Sequence, residues 1–182
     1  MSANIEFKAE LIDLESAHAT ARNLSGKGPE ILRQTDVFFP CPHGRLKLRI
    51  FDDNHGELIF YQRADGPGPR RSHYQIARTA DPHKLLEILQ QVSGVSGMVE
   101  KVRSLYIVGQ TRIHIDQVKG LGSFLEIEVV LKEQQSDTEG LHIAETLAKE
   151  FKIMEPSDSR CLRGPLASAV GVASLRSRSR QF

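Results

Sequence analysis

The sequence has few features of secreted, membrane-spanning or zinc-binding proteins. Its 182 residues contain no apolar run that approaches the length of a bilayer span. The N-terminal stretch MSANIEFKAE has neither the basic nor the apolar region of a secretory signal. The two cysteines, Cys41 and Cys161, lie far apart and outside any CxxC or Cys/His spacing, which argues against a zinc site and a disulfide framework. We therefore expect a reduced, cytoplasmic protein.

A large excess of charge of one sign is also missing. The formal net charge is +1 and 40% of the residues are hydrophobic, which is the balance of a soluble globular protein. The length allows one large domain or two small ones. The basic SRSR stretch near the C-terminus is too short to predict nucleic-acid binding. The net charge therefore says little about partners, and the positions of the charges along the chain are more informative.

The hydrophobic pattern predicts strands interrupted by three helices. Asp13 and Asp81-Pro82 have the character of helix starts, and a third amphipathic helix is predicted over residues 138–151. The first helix should extend to about Leu24. Between the helices, alternating polar and apolar residues predict mainly antiparallel strands, so the fold class is α+β.

Two stretches lack a clear pattern of this kind. GPGPRRS, which contains Arg70 and Arg71, is interpreted as a flexible, solvated connection. After Pro156 the pattern fades, and we predict one domain over residues 1–156 followed by a partly mobile segment, residues 157–182.

The strands share one unusual feature, since charged residues recur at every second position with apolar residues between them. Two neighbouring acids of one such strand lie roughly 7 Å apart on the same face. An antiparallel sheet with one solvated face would give the same alternation. A sheet closed into a barrel, with the charged faces inside, is the alternative interpretation. The series are Glu6/Lys8, Arg45/Lys47/Arg49, Lys101/Arg103, Arg112/His114/Asp116 and Glu126/Glu128, with Arg63 as a possible addition.

A charged interior would need a charged ligand, because unpaired buried charge is costly. Several inward bases indicate a polyanion, whose oxygens arginine binds through forked hydrogen bonds. Several inward acids indicate a divalent cation, since carboxylates suit Mg²⁺ or Mn²⁺. A polyphosphate bound together with its metal would satisfy both sets. His114, flanked by Ile113 and Ile115, is interpreted as a structural hydrogen-bonding residue, with catalysis or ligand binding as the alternative.

The ordered set of motifs resembles the CYTH superfamily, also called triphosphate tunnel metalloenzymes, and is most similar to bacterial proteins grouped with the class IV adenylyl cyclases. The family signature ExExK corresponds to Asn4-Ile5-Glu6-Phe7-Lys8, in which asparagine stands in place of the first glutamate. The resemblance covers about residues 4–152. The later matching motifs are GRLKLR (44–49), YQR (61–63), EKVR (100–103), RIHID (112–116) and VKGLGSFLEIE (118–128).

The resemblance implies a closed antiparallel barrel of about eight strands, with helices packed outside and a triphosphate tunnel inside. It implies catalytic roles for Lys8, Glu6 and Asp116. It also implies a metal, Mg²⁺ or Mn²⁺, held by Glu6, Asp116, Glu126 and Glu128. Asn4 would weaken one metal site. The implied phosphate-binding residues are Lys8, Lys47, Arg49, Arg63, Lys101 and Arg103.

The implied activity is that of an enzyme acting on a triphosphate such as ATP or polyphosphate. The best match is a class IV adenylyl cyclase, which forms cyclic AMP and pyrophosphate from ATP. A triphosphatase acting on tripolyphosphate, thiamine triphosphate or a nucleoside triphosphate is the first alternative. A non-catalytic binding module and a solvated α+β domain with no tunnel are the others. The resemblance is also compatible with a homodimer, and we expect no membrane association.

Overall fold

The computed structural model describes residues 2–63 and 69–153, which form eight β-strands and three α-helices. The predicted mobile segment, residues 157–182, and Cys161 lie outside the described residues, so the predictions about them stay untested. In chain order the elements are β1 (Ser2–Leu11), α1 (Leu14–Ser25), β2 (Glu30–Phe39), β3 (Arg45–Phe51), β4 (Gly56–Arg63), β5 (Arg70–Thr79), α2 (Pro82–Ser93), β6 (Gly97–Val108), β7 (Thr111–Val118), β8 (Gly122–Val130) and α3 (Asp137–Glu150).

The eight strands form a closed antiparallel barrel. Their order around it is β1-β5-β4-β3-β2-β6-β7-β8, and β8 pairs with β1 to close it. The predicted α+β class and eight-stranded closed barrel are therefore confirmed. Because the side chains of a strand alternate between its two faces, every second residue of each strand points to the barrel interior.

In an ordinary small barrel the strands turn their apolar faces to the interior. Here the charged faces point to the interior and the apolar faces point outward. In β8, Leu125, Ile127 and Val129 are fully buried on the outer face, beneath the helices. Glu126 and Glu128 lie between them on the inner face and line a cavity. The solvated-face interpretation is therefore wrong for this strand, since both of its faces are covered.

The three helices cover the outside of the barrel, as predicted. α3 packs on β1 and β8, α1 on β6 and β7, and α2 on β2 and β3. Each begins with a capping side chain, supplied by Asp13, Asp81 and Ser136. None of these helices, which are the ones in the described ranges, is long and apolar enough to cross a bilayer.

Two strands are longer than their sequence pattern indicates. The apolar pattern of TDVFF, ended by Pro40, predicts only a short strand over residues 34–39, whereas β2 begins at Glu30. The prediction of a flexible connection at Arg70 and Arg71 is wrong, because β5 begins at Arg70 and pairs there with Glu6 of β1. Pairing with β1 on one side and β4 on the other supplies ladder partners that local composition does not reveal.

Candidate functional site

A charged cavity of about 370 Å³ fills the barrel interior, and we call it the barrel cavity. Among the described residues, nine basic and five acidic side chains line it, an excess of four positive charges when all are ionised. The basic residues are Lys8, Lys47, Arg49, Arg63, Arg70, Arg78, Lys101, Arg103 and Arg112, and the acidic ones are Glu6, Asp36, Glu57, Glu126 and Glu128.

The structure brings nine of the ten predicted site residues together on the wall of this cavity. The alternation of each strand places them, and five strands (β1, β3, β4, β6 and β8) contribute. The exception is Asp116, which is fully buried behind the wall. The nine are Glu6, Lys8, Lys47, Arg49, Arg63, Lys101, Arg103, Glu126 and Glu128.

Asp116 is bound to the cavity wall rather than exposed to the cavity. Its two carboxylate oxygens accept hydrogen bonds from Nε and Nη2 of Arg103, both at 2.7 Å. Although burial opposes it, Arg103 and Lys101 hold the pKa of Asp116 well below its usual range. The same contact, with Glu126, raises the pKa of Arg103 against the effect of burial. Asp116 therefore fixes the orientation of the Arg103 guanidinium group and keeps it charged.

Asp36 of β2 is the main charged residue of the site that the sequence analysis missed. Its carboxylate is buried and accepts from Lys47 Nζ at 3.0 Å and from Arg49 Nε at 2.9 Å. Lys101 Nζ lies 3.3 Å from Oδ2 of the same group. Burial alone would raise the pKa of Asp36, but these three bases lower it well below its usual value. One carboxylate thus holds three of the predicted phosphate-binding residues.

The lysines of this cluster are less firmly protonated than lysines in water. Burial, reinforced by the neighbouring Arg103 guanidinium, lowers the pKa of Lys101 to about 7. Burial and Arg49 likewise lower the pKa of Lys47. The carboxylates of Asp36 and Asp116 act in the opposite direction on Lys101 without cancelling the effect. The positive charge on this wall of the cavity therefore depends on pH near neutrality.

The opposite wall carries a seam of three carboxylates on β1 and β8, which we call the carboxylate seam: Glu6, Glu126 and Glu128. Glu6 lies directly across from Glu128 in the strand register, and Lys8 lies across from Glu126. Like charges placed directly opposite destabilise a strand pair unless a cation lies near them. Each acid of the seam contacts bases: Glu6 pairs with Arg63, Glu126 with Lys8 and Arg103, and Glu128 with Arg112.

Two buried polar residues stand beside the carboxylate seam. Asn4 donates from Nδ2 to Glu128 Oε1, and its Oδ1 atom has no hydrogen-bond partner. His114 is buried on the inner face of β7, 3.9 Å from Glu126 Oε2 through Nδ1 and 3.9 Å from Glu128 Oε2 through Nε2. Burial, followed by the Arg103 charge, lowers the pKa of His114, so the imidazole is neutral at pH 7.

The carboxylate seam has the chemistry to hold a divalent cation. Its three carboxylates and the unpartnered amide oxygen of Asn4 are the oxygen ligands that Mg²⁺ and Mn²⁺ prefer. Over residues 2–63 and 69–153, no three His, Cys, Asp or Glu side chains are already assembled in a metal-binding arrangement. The ion pairs of Glu6, Glu126 and Glu128 account for this, because basic groups lie against the seam. If a bound anion such as phosphate drew these bases away from the seam, a cation could bind the carboxylates in their place.

Several further cavity residues were missed or given little weight by the sequence analysis. Gln34 and Asp36 follow the alternation of β2 within the predicted short strand, so their common face could have been inferred from the sequence. Arg70 was hidden by the glycine and proline residues before it. Tyr61 belongs to the recognised YQR motif and points inward with Arg63, and burial raises the pKa of its hydroxyl to about 12.

The comparisons with known proteins agree with this geometry. The CYTH domain family matches residues 2–162. Pyrococcus horikoshii protein PH1012 is 21% identical, with a TM-score of 0.80 over 93% of this chain and 99% of its own. A Vibrio parahaemolyticus protein provisionally named an adenylate cyclase is 19% identical, with a TM-score of 0.67 over 88% of this chain and 94% of its own.

A third similar structure is that of HpAC1 from Hippeastrum, an adenylyl cyclase candidate described as having a dominant triphosphatase activity. It is 18% identical, with a TM-score of 0.62 over 96% of each chain. At these identities the structures show a shared fold. No curated protein matches the sequence. Because the family match extends over most of the chain, the protein belongs to the CYTH domain family.

Proposed function

We propose that this protein is a divalent-metal-dependent enzyme that acts on a triphosphate in the barrel cavity, and specifically an adenylyl cyclase of class IV. The observation that carries the proposal is the lining of the barrel cavity, where basic side chains outnumber acidic ones by nine to five among the described residues. The terminal group of a triphosphate alone carries about two negative charges near neutral pH. A polyanion is therefore the class of ligand that matches the charge of the cavity.

The phosphate-binding residues divide into two kinds. Arg49, Arg63 and Arg103 present planar forks, and Asp116 holds the fork of Arg103 in place. The lysines supply point charges on flexible side chains, which can adjust to different positions of a phosphate group. They are Lys8, Lys47 and Lys101. Together they would neutralise the charge that builds up on the phosphoryl oxygens, which is the main contribution that a protein makes to phosphoryl transfer.

The carboxylate seam supplies the metal-binding part of the proposal. Glu6, Glu126 and Glu128 would hold Mg²⁺ or Mn²⁺, which when bound withdraws charge from the phosphoryl oxygens. We assign the catalytic roles to Glu6 and Lys8, which are neighbours on the inner face of β1. Lys8 Nζ lies 3.5 Å from Glu126 Oε2, at the border between the seam and the basic wall. The proposal gives Asp116 a positioning role through Arg103 instead of a metal contact.

In the cyclase reaction the ribose 3′ oxygen attacks the α-phosphorus, its proton leaves, and the bond to the bridging oxygen breaks to release pyrophosphate. One mouth of the barrel cavity favours an organic triphosphate over an inorganic one. The ends of β3, β5 and β6 and the start of β2 meet there because the strands are antiparallel. Apolar side chains at this mouth can contact a base: Leu32, Phe51, Ile76 and Leu105.

A triphosphatase is the second candidate function. The description of HpAC1 as having a dominant triphosphatase activity favours it, since the two chains share the fold along almost their whole length. In that reaction an oriented water attacks the terminal phosphorus. The charged lining that we propose suits both reactions, and the position of the nucleophile distinguishes them.

Turnover of three substrates tests the proposal. The purified protein would be incubated with ATP, tripolyphosphate and thiamine triphosphate, with Mg²⁺ and with Mn²⁺, and the products separated by chromatography. Cyclic AMP and pyrophosphate from ATP are expected, and Glu126→Gln should abolish both. Glu100→Gln is the matched control, because Glu100 lies on the outer face of β6 and pairs with the exposed Lys119.

Other product patterns would change the conclusion. Orthophosphate without cyclic AMP would make the protein a triphosphatase, and the best substrate would name it. Tight binding of all three compounds without any product would exclude an enzyme and leave a binding module. The cytoplasmic location and the homodimer stay predictions from the sequence.

A further inference from the structure

Two buried polar atoms beside the carboxylate seam lack hydrogen-bond partners, one near Glu126 and one in a residue that contacts Glu128. They are Nδ1 of His114 and Oδ1 of Asn4, in residues that are 4% and 2% exposed. Unpaired polar atoms at such depth are rare in proteins, and each needs an explanation. The amide oxygen carries lone pairs, and Nδ1 carries one in the tautomer with the proton on Nε2, so both atoms can bind a cation.

The register of the barrel places these residues on the two sides of β8. His114 lies on β7 directly across from Glu126. Asn4 lies on β1 and donates its amide hydrogen to Glu128. The imidazole is 3.9 Å from a carboxylate oxygen of Glu126 and of Glu128, which is too long for a hydrogen bond but close enough for both carboxylates to face it.

This arrangement does not fit a purely structural histidine. A structural imidazole normally uses one ring nitrogen to donate and the other to accept. Here Nδ1 has no partner within hydrogen-bond distance, and the carboxylate oxygen that it faces, Glu126 Oε2, lies 3.9 Å away. The sequence interpretation of His114 as a structural hydrogen-bonding residue is therefore not supported at Nδ1.

We propose that His114 is a nitrogen ligand of the cation held at the carboxylate seam, with the Asn4 amide oxygen as a neutral ligand beside it. This inference rests on the proposed function, since it concerns the metal of that same site. An imidazole ligand makes the site less suited to Mg²⁺, which prefers oxygen ligands and retains its waters. First-row transition ions accept imidazole readily. The site therefore selects Mn²⁺ over Mg²⁺.

The test measures the ligand atom itself and needs no turnover. Mn²⁺ is added to the intact protein with the bis-methylene analogue of tripolyphosphate, which resists hydrolysis and contains no nitrogen, so that the basic side chains are engaged by phosphate. Electron spin-echo modulation of the bound Mn²⁺ should show coupling to an imidazole ¹⁴N nucleus. His114→Gln should remove that coupling and weaken Mn²⁺ binding by at least about tenfold, while Mg²⁺ binding, measured by competition, changes by less than about threefold.

A second histidine variant controls for imidazoles elsewhere. His142 is exposed on α3, outside the barrel, and His142→Gln should leave the coupling unchanged. Binding of the analogue and thermal unfolding, measured on the same samples, show whether His114→Gln is folded. If it is not folded, His114→Asn, a shorter amide variant, takes its place in the same measurement.

The results separate this inference from the proposed function. Bound Mn²⁺ without ¹⁴N coupling in the unchanged protein would overturn the role of His114 and leave the metal-dependent enzyme intact. Coupling that persists in the folded His114 variant would do the same. Failure of Mn²⁺ to bind in the presence of the bound analogue would overturn the role of His114, and failure of both Mn²⁺ and Mg²⁺ to bind would overturn the metal-dependent enzyme as well.

Discussion

Replacing Asp36 by asparagine is expected to lower the stability of the protein without ligand and to increase the stabilisation that a bound triphosphate provides. The Asp36 carboxylate lies within 3.3 Å of basic nitrogens of Lys47, Arg49 and Lys101, in a cluster with little exposure to water. The neutral variant leaves three cations facing one another. Removing one partner of a buried ion pair typically costs about 3–5 kcal/mol. For a chain of this size that loss corresponds to a fall in Tm of roughly 6–20 °C.

Tripolyphosphate should recover much of that loss. In the unchanged protein phosphate has to compete with Asp36 for the three bases, whereas in Asp36→Asn those bases have no carboxylate at that position. The free energy gained from a bound ligand depends on its concentration relative to Kd, so the two Tm values should converge as tripolyphosphate is increased. Thermal unfolding followed by circular dichroism, over a series of tripolyphosphate concentrations, measures both effects.

An exposed ion pair serves as a control for the contribution of burial to the loss of stability. Glu100 and Lys119 also form a short ion pair, 2.7 Å, but their side chains are 46% and 74% exposed. Glu100→Gln should therefore cost less than about 1 kcal/mol and show no special response to phosphate. A Tm difference for Asp36→Asn that stays constant across all tripolyphosphate concentrations would refute the reasoning, because Asp36 would then not compete with phosphate for these bases.

Two further predictions concern pH and packing. Because the folded-state pKa of Lys101 is about 7 and its ordinary value is 10.5, the unfolded chain binds more protons between those values, so stability should rise with pH from about 7 to 10. Lys101→Met should flatten that rise in urea unfolding, and an unchanged slope would contradict the assignment. Gly140→Ala would place a methyl carbon 2.6 Å from Leu131 and 2.7 Å from Ile5. It should destabilise the protein by about 1–3 kcal/mol despite its better helix propensity, and a gain in stability would contradict this.

The parts of the site that could be predicted are those encoded by alternation within one strand. Glu126 and Glu128 are separated by one apolar residue, so their common face follows from the geometry of an extended chain. The same holds for Lys47 with Arg49 and for Lys101 with Arg103. Closure of the sheet then turned these faces inward, and the motif resemblance indicated that closure. Nine of the ten predicted site residues reached the cavity for this reason.

What could not be predicted depends on contacts between strands that are distant in sequence. Asp36 is the only acid of β2 that lines the cavity, so within its strand nothing distinguishes it from a solvated aspartate. Its importance arises from the register that sets it across from Arg49 of β3. Asp116 shows the converse, since alternation placed it on the inner face, but the bidentate contact with Arg103 withdraws it from the cavity.

The pairing of acids with bases explains how an interior lined by ionised side chains can be stable without a ligand. Unpaired charges at this depth would cost more than the few kcal/mol that stabilise an ordinary domain. Binding of a triphosphate is then an exchange of partners, so its affinity reflects the difference between phosphate and carboxylate contacts to the same bases. The carboxylates released by that exchange need a cation of their own. The triphosphate and the divalent ion should therefore each strengthen the binding of the other, by the same factor, because linkage between two sites is reciprocal.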